Sequence, residues 1–169
     1  GNEKISGKEF IDAKGFEVTP GFIDLHTHSD LSFIVDPDAD SKLIQGVTFE
    51  LMGNCGMSFC SPLSQNNKYQ LQERLNRYGV KKEMDWNNFD DWLTEIENNT
   101  PSINVAAQIG HGNLRTYVMG MESRQANPDE LNKMKDEIQK ACDQGVLGFS
   151  TGLWYAPGSY SSAEEIIEL

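Results

Sequence analysis

The chain alternates four short apolar runs with segments of helical pattern, and this alternation constrains its fold more than any other feature. The runs are residues 22–26, 47–52, 103–109 and 146–150, and glycine or polar residues follow each of them. A short continuous apolar run bounded by turn residues is typical of a strand that is buried on both faces. Strands of this kind separated by helices predict parallel βα units in an α/β fold.

The segments between the runs carry the helix signals. A brief helix is expected over 41–45, ended by Gly46, and a longer polar excursion over 61–78 is expected to contain another. Two later helices are predicted from apolar side chains at helical spacing: Phe89, Trp92, Leu93 and Ile96 in the first, and Leu131, Met134, Ile138 and Ala141 in the second. The second begins with Asn127 as its cap and Pro128 in its first turn. Ser161 or Ser162 is expected to cap a last helix.

Four βα units correspond to half of a (β/α)8 barrel, because a whole barrel takes about 250 residues. A doubly wound open sheet is the alternative, but no glycine-rich phosphate-binding sequence follows the first predicted strand. The expected architecture is therefore the first four βα units of a TIM barrel over residues 20–169, preceded by a polar stretch over 1–19.

The charge and the cysteine count exclude several classes of protein. Lys and Arg number 14 against 26 Asp and Glu, a formal net charge of −12. Nucleic-acid binders need a basic face, and an acidic surface is repelled by anionic lipid. No apolar run approaches the roughly 20 residues of a membrane helix. Three cysteines do not make a disulfide framework and favour a reducing, cytoplasmic location.

The side chains suited to chemistry directly follow the first two predicted strands, where a parallel α/β fold places its active site. His26 and His28 have i, i+2 spacing, so both imidazoles are expected to face one way and could bind zinc, with Asp24 orienting one of them. Cys55 lies in a glycine-flanked loop and could supply a thiolate ligand. The alternatives are a core or surface histidine pair and a buried structural cysteine.

The third and fourth strands also end in side chains of interest. His111 lies between two glycines and is either a site residue or a histidine that caps a strand-end carbonyl. Trp154 and Tyr155 lie in a loop that could form a substrate wall or could be an ordinary aromatic-bearing loop. Signals at four successive strand ends together favour the functional interpretation.

These motifs resemble a known family. Residues 20–28, Pro-Gly-Phe-Ile-Asp-Leu-His-Thr-His, are similar to the strand-one signature of the amidohydrolase superfamily, which comprises metal-dependent hydrolases on a (β/α)8 barrel. The further matching segments are Gly46-Val47-Thr48, Gly53-Asn54-Cys55-Gly56, Gly110-His111 with Leu114-Arg115, and Ser150-Thr151-Gly152-Leu153. Over nearly the whole chain the set resembles the N-acyl-D-amino-acid deacylases, in which a cysteine replaces the carboxylated lysine that bridges the metals in most relatives.

The resemblance implies roles for individual residues. His26 and His28 would be ligands of one metal ion, and Cys55 would be shared with a second, with one or two zinc ions in the intact enzyme. His111 would lie near the substrate without binding metal, and Trp154 and Tyr155 would help form the substrate pocket. The implied reaction is zinc-dependent hydrolysis of N-acyl-D-amino acids, which are small-molecule substrates.

The resemblance also implies residues that this chain lacks. The remaining metal-binding histidines and the catalytic aspartate of the family come from later strands, and no histidine follows His111 here. Residues 1–19 would be the end of an N-terminal β-sandwich. The chain is thus expected to be a segment truncated at both ends and inactive alone.

Three other interpretations remain at this point. An amidohydrolase of the dihydroorotase or hydantoinase kind shares the histidine pair and the barrel, but is expected to use a lysine bridge. A non-catalytic half-barrel scaffold would expose strand edges and would self-associate through them. A non-enzymatic zinc module is disfavoured, because the three candidate ligands lack the paired spacing of structural zinc sites.

Overall fold

The sheet consists of four parallel strands in chain order. The computed structural model describes residues 6–60 and 62–169. The strands are β1 (Phe22–Asp24), β2 (Val47–Met52), β3 (Asn104–Gly110) and β4 (Gly148–Ser150), and each pairs in parallel with the next. A doubly wound sheet would reverse the strand order at its switch point, whereas successive barrel strands lie side by side. The predicted first half of a (β/α)8 barrel is therefore confirmed.

Seven α-helices lie in the described part of the chain. They are α1 (Ser32–Val35), α2 (Asp40–Leu43), α3 (Gln65–Arg77), α4 (Phe89–Asn98), α5 (His111–Met119), α6 (Pro128–Asp143) and α7 (Ala163–Glu168). A turn of 3-10 helix at Gly158–Tyr160 precedes α7. None of the helices in these described ranges has the length and apolar character needed to span a membrane.

Side-chain caps begin four of these helices. The side chains of Ser64, Asn88, Asn127 and Ser162 each accept a hydrogen bond from a backbone N–H in the first turn of α3, α4, α6 and α7 respectively. Such caps satisfy donors that have no partner within the helix. At α6 the Glu130 side chain also accepts from the Asn127 backbone N–H, which completes a capping box. The predicted start of α6 is confirmed, and Ser162 is the cap of α7.

The core lies between the sheet and the helices. Its fully buried members include Met52 and Ile109 from the sheet and Trp92, Leu114 and Met134 from the helices. The helical periodicities predicted this packing, because the apolar positions of α4 and α6 turn towards the sheet. The predicted faces are buried or partly buried throughout: Phe89, Trp92, Leu93 and Ile96 in α4, and Leu131, Met134, Ile138 and Ala141 in α6.

The structure differs from the sequence-based expectation after β1 and β3, and β4 begins at Gly148, two residues later than predicted. β1 stops at Asp24, two residues earlier than expected, and the short helix α1 follows at Ser32. α5 begins at His111, directly after β3, where no helix was predicted. Glycine disfavours helix formation, and Gly112 therefore concealed this helix. The Gly112 N–H donates to the Gly56 carbonyl oxygen at 2.8 Å, so a tertiary contact outweighs the local propensity.

The stretch before β1 has no strand in its described part, residues 6–21. The predicted β-sandwich segment, residues 1–19, falls partly on residues 1–5, which lie outside the described residues, and the domain boundary stays a prediction. Large apolar side chains of this stretch are exposed, with Phe10 at 89% and Phe16 at 81%. On β1 itself, Phe22 and Ile23 are each 64% exposed. This edge of the sheet is apolar, and residues 6–60 and 62–169 leave it uncovered.

A buried ionic network joins α5 to α7. The Arg115 guanidinium donates to both carboxylate oxygens of Glu165, at 2.6 and 2.7 Å, and both side chains are nearly inaccessible. His111 Nε2 lies 2.8 Å from Glu165 Oε1. Burial would raise the pKa of Glu165, but hydrogen bonds from Arg115 and His111 outweigh burial and hold it below its usual value. Two helices that are far apart in the sequence are thereby connected.

Replacing Glu165 by Gln is expected to lower the free energy of unfolding by about 3–5 kcal/mol, because Arg115 would be left buried without a counter-charge. Because the pKa of Glu165 is lowered by folding, its contribution is present above about pH 4.5 and is lost as the pH falls through the folded value. Thermal and urea unfolding of the protein at its full natural length, from pH 3 to 7, measures both effects.

Glu168→Gln is the matched control. Glu168 lies on the same helix and pairs with Lys135, but its side chain is 55% exposed. Its replacement is expected to cost less than about 1 kcal/mol. Equal losses in the two variants would show that the buried network does not stabilise the fold.

Candidate metal centre

His26, His28 and Cys55 converge at the carboxyl edge of the sheet. One ligand atom from each side chain lies within 4.8 Å of the others. His26 Nε2 is 3.2 Å from Cys55 Sγ, and the two imidazole rings are 5.6 Å apart in an edge-to-face arrangement. Both histidines are exposed and Cys55 is partly buried, so a ligand can reach them. Three donors predicted from separate signals therefore form one cluster.

The loop that follows β1 holds the two histidines by hydrogen bonds at their neighbours. Thr27, between them, is buried, and both its backbone N–H and its hydroxyl donate to the Leu51 carbonyl oxygen, at 3.3 and 3.2 Å. With Thr27 pointing inward, His26 and His28 project outward together. Asp24 accepts from the His26 backbone N–H at 3.2 Å, so it supports the backbone of this candidate ligand.

Asp24 also belongs to a charged group beneath the loop. The Lys42 ammonium lies 2.9 Å from Asp24 and 2.8 Å from the fully buried Glu50. A hydrogen bond from Lys42, followed by the His26 N–H, holds the pKa of Asp24 below its usual value. A single cation from α2 thus compensates two carboxylates on neighbouring strands.

The loop that carries Cys55 has an unusual backbone. Cys55 adopts the left-handed conformation with φ +57°, and Gly53 has φ +76°. Asn54 connects this loop to its neighbours: its amide donates to the Thr27 and Leu51 carbonyl oxygens and accepts from Gln108. The turn therefore directs Cys55 Sγ towards His26, while Asn54 remains buried as an anchor.

The last residue of β4 and the loop that follows it, which we call the fourth loop, contact the Cys55 loop. The Ser150 hydroxyl accepts from the Gly56 N–H at 3.0 Å and donates to the Gly53 carbonyl oxygen. The Tyr155 hydroxyl donates to the Cys55 carbonyl oxygen. Burial, with a smaller effect of Cys55, raises the pKa of Tyr155. Trp154, in contrast, is 98% exposed.

His111 does not join the cluster of three. Its side chain is fully buried and pairs with Glu165, and burial, only partly offset by Glu165, lowers the pKa of His111. Because a carboxylate oxygen only accepts, the neutral ring carries its proton on Nε2. Nδ1 has no hydrogen-bond partner among the residues described. A β-carbon on Gly158 would lie 3.8 Å from Nδ1, so His111 lies beneath the segment that follows β4 and presents no ring atom at the surface.

Asp30 is a buried acid beside the candidate site that the sequence reasoning missed. It is 2% exposed and lies next to the histidine loop, where its carboxylate accepts from the Phe59 N–H at 3.4 Å. Burial raises the pKa of Asp30 to about 6, while backbone N–H groups of Asp30, Gly53 and Phe59 oppose the shift. The signal was its place two residues after His28, which extends the i, i+2 spacing of the histidine pair.

The donor set fits a borderline divalent metal. Zinc binds imidazole nitrogen at about 2.0–2.1 Å and thiolate sulfur at about 2.3 Å, so tetrahedral ligands lie roughly 3.3–3.7 Å apart. The 3.2 Å between His26 Nε2 and Cys55 Sγ is close to that separation. Imidazole and thiolate groups are ligand types that suit zinc, whereas calcium and magnesium prefer oxygen ligands.

Replacing Gly53 by Ala is expected to disrupt this loop, because a β-carbon there would overlap the Gln108 carbonyl oxygen. Gly79→Ala is the control, since Gly79 has φ +81° but no atom within 4 Å of a β-carbon. The control is expected to cost only the ~1–2 kcal/mol of a left-handed alanine. Thermal unfolding of the protein at its full natural length should show a clearly larger loss for Gly53→Ala; equal losses would contradict this account of the loop.

Comparisons with known proteins agree with this geometry. The model of the amidohydrolase family matches residues 9–166. N-acyl-D-aspartate deacylase from Alcaligenes xylosoxydans xylosoxydans is 36% identical over 163 residues, covering 96% of this chain and 32% of that protein. D-aminoacylase from the same organism is 36% identical over 159 residues, covering 94% of this chain and 32% of that protein.

Solved structures give the same result. The crystal structure of D-aminoacylase matches with a TM-score of 0.75 at 38% identity, covering 88% of this chain and 31% of that one. N-acyl-D-glutamate deacylase from Bordetella bronchiseptica, solved with zinc and a phosphonate inhibitor, matches with a TM-score of 0.73 at 35% identity, covering 89% and 31%. The chain thus spans about a third of the length of these relatives. It belongs to the amidohydrolase family, and its predicted resemblance to the N-acyl-D-amino-acid deacylases is confirmed.

Proposed function

We propose that the protein hydrolyses the amide bond of N-acyl-D-amino acids, with zinc as its metal, to a carboxylate and a free D-amino acid. The observation that carries this proposal is the convergence of His26, His28 and Cys55 at one point. A cysteine in this place is the feature that distinguishes the deacylases from relatives with a lysine bridge. The relatives found by comparison include deacylases for N-acyl-D-aspartate and N-acyl-D-glutamate.

His26 and His28 would hold one metal ion, and Cys55 would be shared with a second. When bound, such an ion polarises a carbonyl and lowers the pKa of water from 15.7 to about 7. The chain's own contribution is to keep the two imidazoles and the thiol oriented together. Thr27 and Asn54 do so by tying the first two loops to one carbonyl oxygen, that of Leu51.

Substrate contacts are proposed for the fourth loop. Tyr155 lies beside Cys55, and the exposed indole of Trp154 offers an apolar face to an acyl group or side chain. His111 would contribute through the loop that it supports.

The general acid–base aspartate and the remaining metal ligands would lie outside these 169 residues, so this chain alone would be inactive. A cytoplasmic location is proposed because three cysteines do not make a disulfide framework.

The first test combines elemental analysis with an assay of amine release. The protein at its full natural length should contain zinc and should hydrolyse N-acetyl-D-methionine in preference to the L-enantiomer. Hydrolysis of dihydroorotate or a hydantoin instead would support the cyclic-amide alternative. Neither metal nor hydrolysis, together with self-association in size-exclusion chromatography, would support a scaffold whose exposed β1 edge is its interface.

Replacing Cys55 by Ala should abolish tight metal binding and hydrolysis together, because the shared ligand is lost. Cys142→Ala is the matched control, since Cys142 is an exposed cysteine on α6, outside the cluster. It should keep the zinc content and rate of the wild type. An unchanged zinc stoichiometry and rate in Cys55→Ala would refute the bridging role.

A further inference from the structure

We infer that Tyr155 and Ser150 are positioning residues that hold Cys55 in the conformation in which its thiol faces His26. This inference rests on the proposed metal-dependent function and extends it to two hydroxyl groups that are not themselves ligands. We call the Ser150 and Tyr155 hydroxyls the hydroxyl pair. Both belong to the end of β4 and the loop that follows it.

Cys55 needs such support because its own backbone conformation is unfavourable. A residue with a β-carbon at φ +57° is in the left-handed region, which costs roughly 1–2 kcal/mol. Residues of this kind persist where the surrounding structure imposes them, and they cluster at functional sites. Left alone, the backbone at Cys55 would return to negative φ, and Sγ would move away from His26.

The Tyr155 hydroxyl acts on the peptide group that follows Cys55. It donates to the Cys55 carbonyl oxygen across a separation of 100 residues. The ring can approach only because residue 152 is glycine: a β-carbon on Gly152 would overlap both the Cys55 carbonyl oxygen and the Tyr155 hydroxyl. Three residues of two loops thus fit together at this carbonyl.

The Ser150 hydroxyl acts on both sides of Cys55. It accepts from the Gly56 N–H and donates to the Gly53 carbonyl oxygen. Gly53 and Gly56 are both buried, so these backbone groups would otherwise lack partners at a cost in free energy. Together the hydroxyl pair satisfies three backbone groups of the Cys55 loop, and with them fixes the rotation of the peptide planes around Cys55.

Cys55 and the hydroxyl pair therefore have different roles. Cys55 supplies the donor atom, while the hydroxyl pair determines where that atom lies relative to His26. Removing the Tyr155 hydroxyl leaves the Cys55 carbonyl without its tyrosine donor and allows the turn to relax. Groups that orient metal ligands in this way typically contribute 10–100-fold to metal affinity.

The test uses the protein at its full natural length, with Tyr155→Phe and Ser150→Ala, and Tyr160→Phe as the control. Tyr160 lies in the same segment, and its hydroxyl makes no hydrogen bond within the ranges described. Three quantities are measured: the dissociation constant for cobalt(II), the thiolate-to-cobalt charge-transfer absorption, and the alkylation rate of Cys55 in metal-free protein. Cys142 serves as the exposed reference thiol in each sample.

Tyr155→Phe and Ser150→Ala are each expected to weaken cobalt binding about 10-fold, to reduce the charge-transfer absorption per bound ion and to speed alkylation of Cys55 relative to Cys142. Tyr160→Phe should match the wild type in all three. A dissociation constant, absorption and alkylation rate equal to the wild type in Tyr155→Phe would overturn the inference while leaving the proposed function intact.

Failure of the proposed function gives a different result. Wild-type protein without a thiolate-to-cobalt absorption would contradict the metal-binding role of Cys55. In that case the alkylation rates alone test the positioning role, because they are measured without metal. Faster alkylation in Tyr155→Phe supports it, and an unchanged rate overturns it. Circular dichroism of each variant confirms that the fold is retained.

Discussion

The loop that carries Cys55 packs backbone against backbone with the start of α5 and with the loop that follows β4, and the geometry of the candidate site depends on this contact. The Gly56 carbonyl oxygen accepts from the Gly112 N–H at 2.8 Å, and a β-carbon on Gly56 would lie 2.7 Å from the Gly152 nitrogen. Only residues without side chains allow these two loops and the first turn of α5 to approach so closely. The parallel strands bring the loops to one edge, and this contact sets their spacing.

Buried polar side chains make that edge rigid. The Asn113 side chain accepts from the Ser58 N–H at 2.7 Å, and the Ser58 hydroxyl accepts from the Gly110 N–H at 2.9 Å. Both side chains are buried, where a satisfied hydrogen bond gains strength and an unsatisfied one is costly. The exposed imidazoles of His26 and His28 therefore project from an edge of the sheet whose backbone is held by hydrogen bonds. A metal site requires ligands that are held in this way.

Much of the fold followed from local pattern. The bounds of β2 were predicted to the residue, and the Asn127 cap and the apolar face of α6 were read from the sequence. His26, His28 and Cys55 were singled out because each directly follows a predicted strand, and parallel strands end at one edge. Local pattern failed at α5, where Gly112 concealed a helix that a tertiary hydrogen bond stabilises.

The parallel βα order and the donors at the strand ends follow from local sequence, because strand and helix periodicities and caps are properties of neighbouring residues. Which of these donors meet depends on how the folded chain packs. The tertiary structure directs His111 inward to Glu165, 54 residues away, and it holds Cys55 in a left-handed turn beneath a hydroxyl 100 residues away. Such pairings arise from packing between distant segments, and no local periodicity encodes them.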